Sequence, residues 1–91
     1  MSVTVRIPTQ LRPLTAGEGE IVLEATTVRE AISALNAAHP GIGERLLDES
    51  GELRRFVNVF VADEDVRFLE GLNTPLTPGQ TLSVVPAVAG G

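Results

Sequence analysis

The sequence predicts an α+β fold, a mixed sheet of four to five strands packed on one main helix. Three observations predict it. Apolar residues alternate with a period of two near both ends of the chain, in SVTVRIP and TLSVVP, and again in RFVNVFV. One segment, VREAISALNAA, carries its apolar residues at helical spacing. No second long helical pattern occurs anywhere else.

In chain order, SVTVRIP sends Val3, Val5 and Ile7 to one side and Ser2, Thr4 and Arg6 to the other, as a half-buried strand does. TQLRPLTAGEGE, with Pro13, Gly17 and Gly19, is expected to be a turn. EIVLEA alternates again, Ile21 and Leu23 against Glu20 and Glu24, and should pair with the first strand as an antiparallel hairpin. Thr27, followed three residues later by Glu30, has the capping-box pattern of a helix start. Val28, Ala31, Ile32, Leu35 and Ala38 then form one apolar face, and Pro40 and Gly41 stop the helix. GIGERLLDES holds a further short helical turn with Ile42, Leu46 and Leu47 inward, running into an acidic loop. LRRFVNVFVADEDVRF supplies a third strand and the start of a fourth, with Val57, Val59 and Val61 toward the core and Phe56, Asn58 and Phe60 on a partly covered face. TLSVVP is the last strand, Leu82 and Val84 inward, Ser83 and Val85 outward. Two hairpin-like pairs flanking one long helix suit the ubiquitin-like β-grasp. A ferredoxin-like fold would need a second full helix.

Composition narrows the function. With 91 residues, 43% of them hydrophobic, there is room for one domain, set at residues 1–86, and a modest core. The absence of cysteine excludes disulfides, thiolate metal sites and a Cys nucleophile. No basic-then-apolar leader is visible and no apolar run has membrane-spanning length, so a soluble cytoplasmic protein is expected, without a membrane partner. Seven Arg and no Lys stand against nine Glu and three Asp, giving net charge −5 and a pI near 4.7. Nucleic acid is therefore not expected as a partner, and the acidic surface favours encounter with a basic protein face. From Gly71 to Gly91 there is no charged side chain.

Catalytic reagents are scarce. The single His39 falls at the helix end, where it suits the negative pole of the dipole. Asp63, Glu64 and Asp65 lack the spacing of a calcium loop and are expected to be a solvated hairpin tip. Arg54 and Arg55 are a solvated pair at the start of a strand, and GEGE lacks the spacing and the Lys of a phosphate loop. No catalytic residue, no metal ligand and no bound cofactor is assigned, and the chain is not expected to be an enzyme. What remains is the end, AVAGG. Gly90 and Gly91 have no side chains to obstruct a narrow slot, accept any backbone angle, and leave the terminal carboxyl ionised and open. The five residues 87–91 can reach about 16–18 Å when extended, so a flexible diglycine tail could enter a partner's active site.

RFVNVFVADEDVRF, GLNTPLTPGQTLSVVP and AVAGG together resemble the ThiS/MoaD family of ubiquitin-like sulfur carriers, along the whole chain. Within it the chain is most similar to the CysO-type carriers of actinobacterial cysteine biosynthesis. The resemblance implies that Gly91 is the modified residue and that Gly90, Ala89, Val88 and Ala87 form the threading tail. It implies an E1-like adenylyltransferase/sulfurtransferase that uses ATP and Mg to adenylate the terminal carboxyl, which a sulfur donor converts to a thiocarboxylate. It further implies a PLP-dependent cysteine synthase using O-phosphoserine as the sulfur acceptor, and a zinc metalloprotease that releases cysteine and restores the diglycine. Such carriers dock through an apolar patch on the exposed sheet face, which here implies Phe56, Asn58, Phe60, Val85 and Pro86. The family leaves alternatives open: a MoaD-type small subunit of molybdopterin synthase, sulfur supply to a thiosugar or thiamin-type synthase, or a protein modifier.

Overall fold

The computed structural model describes residues 2–86. The expected tail, Ala87 to Gly91, lies outside the described residues. Five strands, β1 (Ser2–Arg6), β2 (Glu20–Glu24), β3 (Val57–Val61), β4 (Glu64–Asp65) and β5 (Thr81–Pro86), form one sheet in the order β2-β1-β5-β3-β4. The helices are α1 (Val28–Ala38) and the short α2 (Ile42–Leu46). This is the expected mixed β-grasp sheet: β1 and β5 are parallel at its centre, and the other pairs are antiparallel.

The period-two pattern decides which face is buried. Val3 and Val5 of β1, Val57, Val59 and Val61 of β3, and Leu82 and Val84 of β5 all face the helix and are buried. Val28, Ala31, Ile32 and Leu35 of α1 meet them, with Ile42 and Leu46 of α2 closing one end. Each such side chain stabilises the fold by about 1.5–3 kcal/mol relative to exposure, which is how a chain without cysteine holds together.

α1 begins as the capping pattern requires, with Thr27 Oγ1 accepting from the Glu30 N–H at 3.2 Å. The return bond goes one residue further back than expected. Glu30 accepts from the N–H and hydroxyl of Thr26, at 2.9 and 2.7 Å, and these bonds, the hydroxyl first, hold its carboxyl below its ordinary pKa. The helix ends at His39, whose N–H donates to the Leu35 carbonyl. Ala38, expected on the apolar face, is exposed. At about 100° per residue it lies roughly 70° from the centre of the stripe, and His39, nearer that centre, is half-buried.

The segment between β1 and β2 is more than a turn. Thr9–Thr15 is a 3₁₀ helix that lays Leu11 and Leu14 against the core. Two bonds hold it: Arg12 Nε donates to the Ile7 carbonyl at 3.1 Å, and the buried Thr15 hydroxyl donates to the Glu18 carbonyl at 2.8 Å. Ala16 and Gly17 then turn the chain with positive φ. Between β3 and β4 the two-residue turn Ala62–Asp63 also has positive φ at both positions, 52° and 68°. That is the hairpin geometry matching strand twist, reached here without the usual glycine.

β5 pairs with β1 through Thr81–Ser83 and with β3 from Leu82 to Pro86, which stands opposite Val57. Leu82 and Ser83 are thus paired on both sides, and Val84 to Pro86 on the β3 side. Pro86, with no N–H to contribute, stands at its last position.

Candidate functional site

The sheet face opposite the helix carries the expected docking residues, in two sets. Asn58 and Val85 are cross-strand neighbours, and Phe60 stands opposite Ser83. Val85 is 44% exposed, while Asn58 and Phe60 are half-buried. Phe60 borders a shallow groove with Arg6, Glu20 and Ser83. Phe56, 58% exposed, lies just before β3 and borders a different groove, shared with Arg55, Val57 and Pro86. Phe56 and Phe60 thus border different grooves, with Pro86 beside the first.

Asn58 has a structural partner. Its amide oxygen accepts from Arg67 Nη1 at 2.8 Å, and Arg67 Nη2 donates to the Arg54 carbonyl at 2.7 Å. The guanidinium fork ties the segment after β4 to the start of β3. Arg54 is equally engaged: its Nε donates to the Glu44 carbonyl at 2.7 Å, tying the start of β3 to α2. Asp65 accepts from the Arg67 N–H at 2.9 Å and so caps the turn that follows it. Among the described residues no group of three or more His, Asp or Glu is placed to hold a metal.

Pro86, the last described residue, lies where two grooves meet. One runs toward the end of β1 and is bordered by Arg6, Arg12, Glu20, Val85 and Pro86. The other lies beside the start of β3 and is bordered by Arg45, Asp48, Arg54, Arg55, Phe56 and Pro86. Glu20 faces Arg6 at 3.4 Å. The Asp48 carboxylate accepts from the Ser50 hydroxyl at 2.7 Å and from the Ser50 and Glu52 N–H groups; the hydroxyl first, then these amides and the nearby Arg54, hold it below its ordinary pKa. The acidic net charge thus conceals a basic surface where the chain leaves the sheet.

Sequence reasoning also missed three exposed apolar side chains, Val22 on the outward face of β2, and Phe68, 85% exposed, and Leu69 after β4. Val22 follows from parity, since it alternates with the inward Ile21 and Leu23. Phe68 carried no signal, because the strand expected there stops after two residues and gives way to a 3₁₀ turn.

The docking assignment has a direct test. Phe60→Ala is expected to weaken binding of an E1-like enzyme about tenfold while costing less than about 2 kcal/mol of stability, since the ring is only half-buried. A large stability loss at unchanged affinity would make Phe60 a packing residue alone.

Comparison with known proteins agrees with this geometry. The ThiS family model matches residues 5–91. The sulfur carrier protein CysO of Mycobacterium tuberculosis is 50% identical, with all of each chain covered, and its crystal structure superimposes with a TM-score of 0.90 at 49% identity, over 94% of this chain and 99% of that one. CysO in the Amycolatopsis orientalis BexX/CysO complex superimposes with a TM-score of 0.92 at 49% identity, over 98% of this chain and 99% of that one. The chain belongs to the ThiS family of ubiquitin-like sulfur carriers.

Proposed function

We propose that the chain carries sulfur on Gly91 as a protein cosubstrate for cysteine synthesis. The observation that carries this reading is the full-length 50% identity to CysO, joined to a β5 strand paired on both sides at Leu82 and Ser83 and held by β3 up to Pro86. A rigid platform that ends where five small residues begin suits delivery of a terminal carboxyl. An E1-like enzyme with ATP and Mg converts that carboxylate to the acyl-adenylate, releasing pyrophosphate. Hydrosulfide from a sulfur donor then displaces AMP, and the terminal C–O bond to phosphate is replaced by a C–S bond. The thiocarboxylate sulfur replaces the phosphate of O-phosphoserine in a PLP-dependent cysteine synthase, the Gly91 acyl group migrates from sulfur to the amino nitrogen, and a zinc metalloprotease hydrolyses the resulting amide to cysteine and the free diglycine.

The domain, residues 1–86, stays outside while residues 87–91 enter. Phe56, Phe60, Val85 and Pro86 provide the contact face, with Asn58 holding its edge. A related carrier crystallised in complex with BexX supports capture of this fold by a second protein. Full-length identity to CysO supports the cysteine branch over a molybdopterin-synthase subunit. The test is ATP–pyrophosphate exchange with the host's E1-like enzyme. Exchange that depends on the carrier supports the reading, and none at saturating carrier refutes it.

A further inference from the structure

We propose that the two grooves meeting at Pro86 form an arginine collar, which docks against carboxylates lining the mouth of the partner channel that receives the tail. Arg6 and Arg12 line one groove, and Arg45, Arg54 and Arg55 line the other. These are five of the seven arginines in a chain of net charge −5, whereas two of its twelve acidic side chains, Glu20 and Asp48, border either groove. Positive charge is thus gathered on both sides of the point where β5 ends.

The collar is partly preorganised. Arg12 and Arg54 each donate Nε to a backbone carbonyl, of Ile7 and Glu44 respectively, which fixes each guanidinium at its groove. The side chains of Arg45 and Arg55 make no hydrogen bond or ion pair with a described residue, and both are exposed. The apolar Phe56 and Val85 border the same two grooves, so the collar is continuous with the proposed docking face. Carboxylates of a protein fit this placement better than nucleotide phosphates. The reacting group sits on Gly91, up to about 16–18 Å beyond Pro86, so groups around Pro86 meet the channel walls and not the nucleotide at its end. Charges ringing the tail also orient the encounter before the tail has to thread. The inference rests on the proposed insertion of the tail into an E1-like enzyme.

The test measures affinity of the full-length carrier for the host's E1-like enzyme from about 0.05 M to about 0.5 M KCl, where screening shortens from roughly 14 to 4 Å. Arg45→Glu with Arg55→Glu is expected to weaken binding at least about tenfold at low salt and within about twofold at high salt. Arg45→Gln with Arg55→Gln should fall between this variant and the wild type. Arg29→Glu, on α1 and outside both grooves, lowers the net charge as much as the glutamine pair does and should stay within about twofold of the wild type. Unchanged affinity at low salt, or a loss that persists at high salt, overturns the collar. A raised KM for ATP at unchanged carrier affinity also overturns it, in favour of phosphate contacts. Carrier-dependent exchange with salt-insensitive variants rejects the collar alone, whereas a wild-type carrier that neither binds nor supports exchange takes the proposed function down with it.

Discussion

A chain ending at Gly90 is expected to keep its fold and to lose ATP–pyrophosphate exchange by at least about 10²-fold, because displacement of a reacting group by a single ångström already costs about that much. Removing one residue withdraws the carboxyl by about 3.5 Å. The fold has no reason to respond. The buried core runs from Val3 to Val84, and β5 closes at Pro86, upstream of the deletion. Circular dichroism and the thermal midpoint should match the full-length protein. Exchange near the full-length rate would show that the terminal carboxyl is not the group activated, and the sulfur-carrying reading would fall with it.

The second large effect belongs to the platform. Leu82, the second residue of β5, is 1% exposed and stands opposite Val5 on one side and Val61 on the other. Leu82→Ala removes buried methyl groups from the layer facing α1 and is expected to cost about 2–5 kcal/mol. A domain of this length has roughly 5–14 kcal/mol in total. At about 4–8 °C per kcal/mol, the midpoint should drop by at least about 8 °C. Exchange measured well below the new midpoint should persist, since Leu82 faces the core and not the docking surface. A midpoint shift of less than about 2 °C would contradict the central, two-sided position of β5.

Most of the fold was legible because two signals dominate a small domain: strand alternation and one capped, amphipathic helix. Both are local, and Val3, Val5, Val57, Val59, Val61, Leu82 and Val84 all face the core as their parity requires. What was not legible depends on tertiary partners. The segment Thr9–Thr15 contains Pro13 and is followed by Gly17, the marks of a turn, yet Leu11 and Leu14 find apolar cover and fold it into a 3₁₀ helix. Ala38 falls at helical spacing but off the stripe's centre, and is exposed. The displaced return bond of the helix cap needs Thr26, a residue the pattern ignores.

The site divides the same way. The diglycine was visible because it is local sequence. Asn58 and Val85 share the outward face as their parity requires, whereas their position opposite one another across β3 and β5 depends on strand register. The Arg67 fork on Asn58 and Arg54 joins residues nine and thirteen positions apart and has no sequence signature. The basic surface around Pro86 was hidden by averaging, since net charge sums the whole chain while docking senses the local field. Arginines from β1, the 3₁₀ segment, α2 and the start of β3 meet there only once the strands have paired.

The most direct test is the intact mass of the untagged protein isolated from its native host, with fragmentation at the C-terminus. Sulfur carriage predicts a species in which one oxygen is replaced by sulfur, localised to Gly91, together with a cysteine adduct at the same residue when the acceptor synthase is active. Only the unmodified mass, even after supply of ATP, the E1-like enzyme and a sulfur donor, would contradict it.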